Sequence, residues 1–394
     1  MFDFDEFIDR ANTQSIKCML LPEGCPSDAL ALWVADMDFK CAPVIIEALQ
    51  KRINHGIFGY SLYETGELKE AICGWFEKRF DWKITDPRHI VYSPGVVPAI
   101  SFLLQALSKP GDKIIIQRPV YYPFTDKIEA SGRQVVNNPL ICSIADNKLN
   151  YRMDLDLLDK QLADKDTQGM ILCNPHNPVG RVWTEEELKA VLELAKKHKK
   201  WIISDEIHMD LTRKGIKHIP LLKIAGDYAD QVIACTAPSK SFNLAGMQLS
   251  NIVIPNEEYR KAFLAISDKL NGVGIPNPFA ISATIAAYTQ GDSWLDALRE
   301  YLDSNIALVE HFVSEHLPLA KIAPCEGTYL MWLDLRAYES DYKKLEDKMQ
   351  HKAKLALDEG YIFGEEGRGF ERINIASPRS VIEDALKRME QALV

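Results

Sequence analysis

The sequence predicts an α/β protein, with a large domain on a mostly parallel sheet flanked by helices and a smaller α+β domain after it. Three observations carry this expectation. Short apolar runs alternate with helix-patterned segments through the middle of the chain. The 394 residues suffice for a large core and more than one domain. Hydrophobic residues make up 47% and charged residues 26%, an ordinary globular composition.

Taken in order, residues 1–45 are irregular and contain prolines, and are expected to pack against the smaller domain. Residues 46–287 are expected to form the large domain and 288–394 the small one. Lys113–Gln117, Gly169–Cys173, Trp201–Ser204, Val232–Cys235 and Asn251–Ile254 are short apolar runs that suit strands buried on both faces. The clearest helix begins at Thr184. Glu187 lies three residues on, completing a capping box that satisfies free N–H groups at the helix start. Leu188, Val191, Leu192 and Ala195 then share one face. The basic run Lys196–Lys200 complements the negative end of the helix dipole. Strands alternating with helices imply right-handed crossovers in a largely parallel sheet. In the last third, a long helical stretch around Trp294–His316 precedes strand candidates at Tyr329–Leu335 and Arg372–Ala376.

Composition also narrows the function. A net charge of -10 disfavours an extended nucleic-acid footprint. The start, Met1-Phe2-Asp3-Phe4-Asp5-Glu6, lacks the basic residues and apolar run of a secretory signal, and no apolar stretch is long enough to span a bilayer. The eight cysteines are scattered, with no C-x-x-C pair, which fits a reducing cytoplasm.

Ligands of open α/β sheets bind beyond the carboxyl ends of the strands, so polar groups just after strand candidates carry weight. Asn174-Pro175-His176-Asn177-Pro178 follows one such strand, and its prolines force a turning, non-helical backbone. Ser204-Asp205-Glu206-Ile207-His208 ends another, where an acid can pair with a buried positive nitrogen or stand as a solvated loop acid. The spacing of Asp205, Glu206 and His208 matches no standard metal site, and no metal is expected. Ala237-Pro238-Ser239-Lys240-Ser241 follows a third strand. A lysine desolvated there has a lowered pKa and can attack a carbonyl. Upstream, Gly95 is expected to turn the backbone tightly into a helix whose first turn holds Pro98. The free N–H groups of such a start bind phosphate. Phosphate cradle, amide, acid and lysine together are what pyridoxal 5'-phosphate (PLP) requires.

The chain resembles the fold-type I PLP enzymes of the aspartate-aminotransferase superfamily. Within them it resembles the MalY/PatB group of cysteine-S-conjugate, or cystathionine, β-lyases. The likeness rests on Trp33-Val34-Ala35-Asp36-Met37-Asp38-Phe39, Phe58-Gly59-Tyr60, Ser93–Ile100, Asn174–Gly180, Ser204–His208, Ser239–Asn243 and Arg372-Ile373-Asn374. The resemblance implies that Lys240 holds the cofactor as a Schiff base and moves the Cα proton. It implies that Asp205 pairs with the pyridine nitrogen, that Asn177 bonds the ring oxygen and that Tyr121 stacks on the ring. Gly95, Val96, Val97 and Ser239 would hold the phosphate. Tyr60 would reach the phosphate of a neighbouring subunit, making the active unit a homodimer. Arg372 would clamp the substrate carboxylate, with Arg368 and Arg379 nearby as alternatives, and Ala35 would line the site through its backbone.

Some positions depart from the aminotransferase pattern. His208 stands where many relatives carry a tyrosine at the ring oxygen, and the β-lyase group shares this histidine. Gln248 replaces an arginine that often contacts the phosphate, and Ala237 a hydroxyl residue. The implied reaction is α,β-elimination from L-cystathionine or a related cysteine S-conjugate, giving a thiol, pyruvate and ammonia. An aminotransferase is the alternative, and a regulatory protein-binding role is an additional one that the group's membership raises.

Overall fold

A computed structural model describes residues 2–394. Its centre is a seven-stranded sheet in the order Ile90–Ser93, Ser250–Val253, Val232–Thr236, Trp201–Asp205, Thr167–Cys173, Lys113–Ile116, Gln134–Asn137. Ser250–Val253 runs antiparallel to both of its neighbours, and all other pairings are parallel. All five short apolar runs therefore form strands, and the sheet is mostly parallel as expected.

Alternate residues show why these runs are apolar throughout. Trp201 and Ile203 pack on one face with Ile233, Cys235 and the helix Val96–Leu107. Ile202 packs on the other with Met170, Leu172 and the helix Glu185–His198. A strand covered on both faces has no side to give to polar residues. The capping box is present: Glu187 N donates to the Thr184 hydroxyl, Thr184 N donates to the Glu187 carboxylate, and the chain leaves the helix through Lys199.

A second, six-stranded sheet runs Asp358–Glu359, Phe370–Asn374, Leu330–Asp334, Lys321–Ile322, Lys148–Arg152, Ile141–Ala145. Its far edge is thus a hairpin from the middle of the chain, turned by Asp146 and Asn147, both at positive φ. Asx residues tolerate that conformation, which is the sequence signal for the turn. The helix Asp292–His316 and the closing helix Arg379–Leu393 cover this part. Leu30–Ala31 pairs in parallel with Leu355–Ala356, tying the first residues to the last third. Among the described residues, no helix is long and apolar enough to cross a membrane.

One close approach sets the central spacing. Gly169 faces Trp201 across the sheet, and a Cβ at Gly169 would lie 2.3 Å from the indole ring. Gly169→Ala forces that buried ring to move. Its urea midpoint is expected to fall, with a loss of about 1–3 kcal/mol by equilibrium denaturation.

Candidate functional site

Parallel pairing brings the carboxyl ends of three strands to one edge. Cys173, Asp205 and Cys235 stand side by side across Thr167–Cys173, Trp201–Asp205 and Val232–Thr236. Beyond them the chain turns into Asn177, His208 and Lys240 in turn. Lys240 sits on the single helical turn Pro238–Ser241, whose first position is a proline preset for helix entry. A cavity of about 180 Å³ opens at this edge. It is lined by Ala35, Gly95, Val96, Val97, Tyr121, Asn177, Asp205, His208, Ser239 and Lys240. Residues scattered over two hundred positions are thus gathered in one place.

Two predicted residues lie elsewhere. Arg372 stands behind Asn177, donating from Nη1 to its Oδ1 at 3.0 Å. Tyr60 is wholly exposed and does not line the cavity of its own chain. Of the three nearby arginines, Arg372 alone is buried. Arg368 pairs with Glu365 at the surface, and Arg379 reaches Ser304 there. Gly95 is extended, with φ 178° and ψ 164°, rather than tightly turned. The helix nonetheless starts at Val96 with Pro98 in its first turn, and its first N–H groups face the cavity edge without helical partners.

The loop carrying Ala35 is stapled from both sides. Asn243 accepts from Met37 N and donates to the carbonyls of Met37 and Phe39. Asn374 donates to the carbonyls of Val34 and Asp36. The Ala35 carbonyl thereby accepts from Lys240 Nζ at 2.6 Å and from the Tyr329 hydroxyl at 2.8 Å. Tyr329 is fully buried and crosses His208 edge-to-face at 5.8 Å. Sequence reasoning gave Tyr329, Asn243 and Asn374 no role, because their partners are distant backbone carbonyls that carry no residue signature.

Electrostatics at the cavity follow from burial. Burial pushes the Lys240 amine down to about 8; Arg372 adds to the fall, while Asp36 and Asp205 oppose it. Burial lifts Asp205 to about 7, against the N–H of Ile207 and the charge of Lys240. Burial also holds His208 well below the ordinary histidine range, with Lys240 and Arg372 pushing the same way, so the ring is neutral. Glu206 turns away from the cavity to His218 at 2.8 Å and to Ser204.

Several groups here fit PLP. Asp205 is buried and accepts a single bond, from Ile207 N at 3.1 Å, leaving capacity for a protonated ring nitrogen. His208 Nδ1 is buried with no partner among the described residues. The Lys240 amine is poised for a carbonyl, and the N–H groups after Gly95 suit a phosphate. Among the described residues no arginine lines the cavity, and Gln248 lines it where the aminotransferase pattern often carries an arginine.

The family described as aminotransferase class I and II matches residues 27–389. Cystathionine beta-lyase PatB of Bacillus subtilis is 42% identical over 393 residues, covering 99% of this chain and 100% of PatB. Protein MalY of Escherichia coli is 36% identical, covering 100% of this chain and 99% of MalY. The solved PLP-bound C-S lyase of Staphylococcus hominis is 35% identical, covering 100% of this chain and 98% of that one, with a TM-score of 0.92. The chain belongs to the aminotransferase class I and II family, and within it to the group that contains PatB and MalY.

Proposed function

We propose that the protein is a PLP-dependent C–S β-lyase that cleaves L-cystathionine or a related cysteine S-conjugate to a thiol, pyruvate and ammonia. The observation that carries this reading is the full-length likeness to PatB, a cystathionine β-lyase. When bound, PLP supplies an electron sink for the pair left behind at the substrate Cα.

The chain's own residues do the rest. Asp205, at the end of its strand, would pair with the ring nitrogen of PLP and favour the protonated ring. The N–H groups of Val96 and Val97 and the Ser239 hydroxyl would hold the phosphate. Tyr121 would stack on the ring, and Asn177 and neutral His208 would serve its oxygen. Arg372, behind Asn177, receives the substrate carboxylate, and the backbone of Ala35 lines the cavity. Lys240, as a free amine, would take the Cα proton. The Ala35 carbonyl, 2.6 Å from Nζ, fixes the direction from which it does so. The Cβ–S bond then breaks. Sulfur leaves as thiol with a proton, and the released aminoacrylate takes up water to give pyruvate and ammonia.

The active unit in this reading is a homodimer in which Tyr60 completes the neighbouring phosphate site. Tyr60, Ile57, Phe58 and Leu62 form an exposed apolar stretch, and such a surface is rare on a protein that stays alone. Free cysteines throughout, three of them buried, fit a cytoplasmic location.

Three outcomes are expected. Holoenzyme given cystathionine and no keto acid releases thiol and pyruvate over many turnovers. Lys240→Ala loses the visible cofactor band on dialysis, and its turnover drops about 10³-fold or more. Turnover that needs added keto acid would instead identify an aminotransferase. In cofactor-free protein, labelling of Lys240 by an amine reagent, followed by mass spectrometry, should be half-maximal near pH 8. Below that pH the amine is protonated and labelling falls, whereas surface lysines stay protonated to about 10.4.

A further inference from the structure

Arg372 has an internal counterion that its carboxylate-binding role does not require. Asp358 and Arg372 face each other across the antiparallel strands Asp358–Glu359 and Phe370–Asn374. They are 5% and 3% exposed. The Asp358 carboxylate pairs with Nη2, which also donates to the Trp33 carbonyl at 2.8 Å. Nη1 is taken by Asn177, and the guanidinium lies 5.0 Å from the Phe363 ring centre. Nε is buried without a partner among the described residues. Four groups thus fix the plane of the guanidinium, and one of them cancels its charge.

A guanidinium in a protein is always protonated, and a buried one needs a compensating charge. A second carboxylate, brought by the substrate, is drawn to Arg372 and repelled by Asp358 in the same low-dielectric surroundings. The field of Asp358 reaches Tyr121, which lines the cavity, and its neighbour Tyr122. Substrate and product both carry a carboxylate. Gripping both tightly lowers KM without raising kcat and slows release.

We propose that Asp358 is a positioning residue that orients Arg372 and, by neutralising it, weakens its hold on carboxylate ligands. This rests on the reading of Arg372 given above. The test titrates holoenzyme with L-alanine, which has an amine and a carboxylate but no leaving group, and with ethylamine, which has the amine alone. Binding is followed by cofactor absorbance. Asp358→Asn keeps an acceptor oxygen and removes the charge. Alanine should bind about tenfold tighter, with ethylamine unchanged, because only the carboxylate meets the altered field. Alanine binding that is unchanged or weaker, or a shift equal for both ligands, overturns the proposal. If Asp358→Asn does not fold, the parent enzyme decides: a neutralised clamp prefers alanine over alaninamide by less than about tenfold, and a larger preference overturns it. Arg372→Gln separates the two levels. It should weaken alanine by about fivefold or more and spare ethylamine. If it does not, the assignment of Arg372 fails and the role of Asp358 fails with it.

Discussion

The parallel register of Thr167–Cys173, Trp201–Asp205 and Val232–Thr236 is the constraint on which the site depends. Side chains alternate between faces, so a slip of one residue would carry Asp205 into the opposite layer. The same slip would put Trp201 where Ile202 belongs. Filling both faces with bulky apolar side chains makes the correct register the one that packs. Chemistry at the strand ends thus inherits its precision from the core beneath it.

That precision has to survive the burial of charge. An amine and a carboxylate placed in a cavity each lose water, and here both shift toward their neutral forms. The loop over them is held by fixed bonds rather than by packing alone. Asn243 and Asn374 staple its backbone, while Arg10 and Lys17 grip Asp36 and Asp38 from outside. Lys17 is itself 1% exposed. Burial would lift Asp38, yet Lys17, Ser377 and Arg10 together keep it below its ordinary range. The irregular first residues therefore take part in the site's architecture at one remove.

Much of this was legible in the sequence. Local signals read well: the five strand runs, the capping box at Thr184, and the polar groups that follow strands, among them Asp205 and Lys240. Direction did not. Ser250–Val253 is antiparallel, and an apolar run has no feature that reports which way it points. Asp358 was missed because it lies in a two-residue strand, and its meaning comes only from standing opposite Arg372. The conformation of Gly95 was misread because a glycine before a helix suggests a turn, whereas here the backbone is extended. Tyr60 is surface in one chain, and its role as implied by the resemblance belongs to an assembly.

The hairpin at the edge of the six-stranded sheet has a consequence in time. Residues 141–152 leave the ribosome well before Lys321–Ile322, the strand that Lys148–Arg152 will join. At ordinary synthesis rates that interval is roughly 10–30 s, during which one edge of the hairpin has no neighbour. Lys148, Asn150 and Arg152 alternate with the buried Leu149 and Tyr151 along that strand. Charged and polar side chains on a bare edge discourage pairing with stray strands. The nascent hairpin thus carries its own protection until the last third of the chain arrives to claim it.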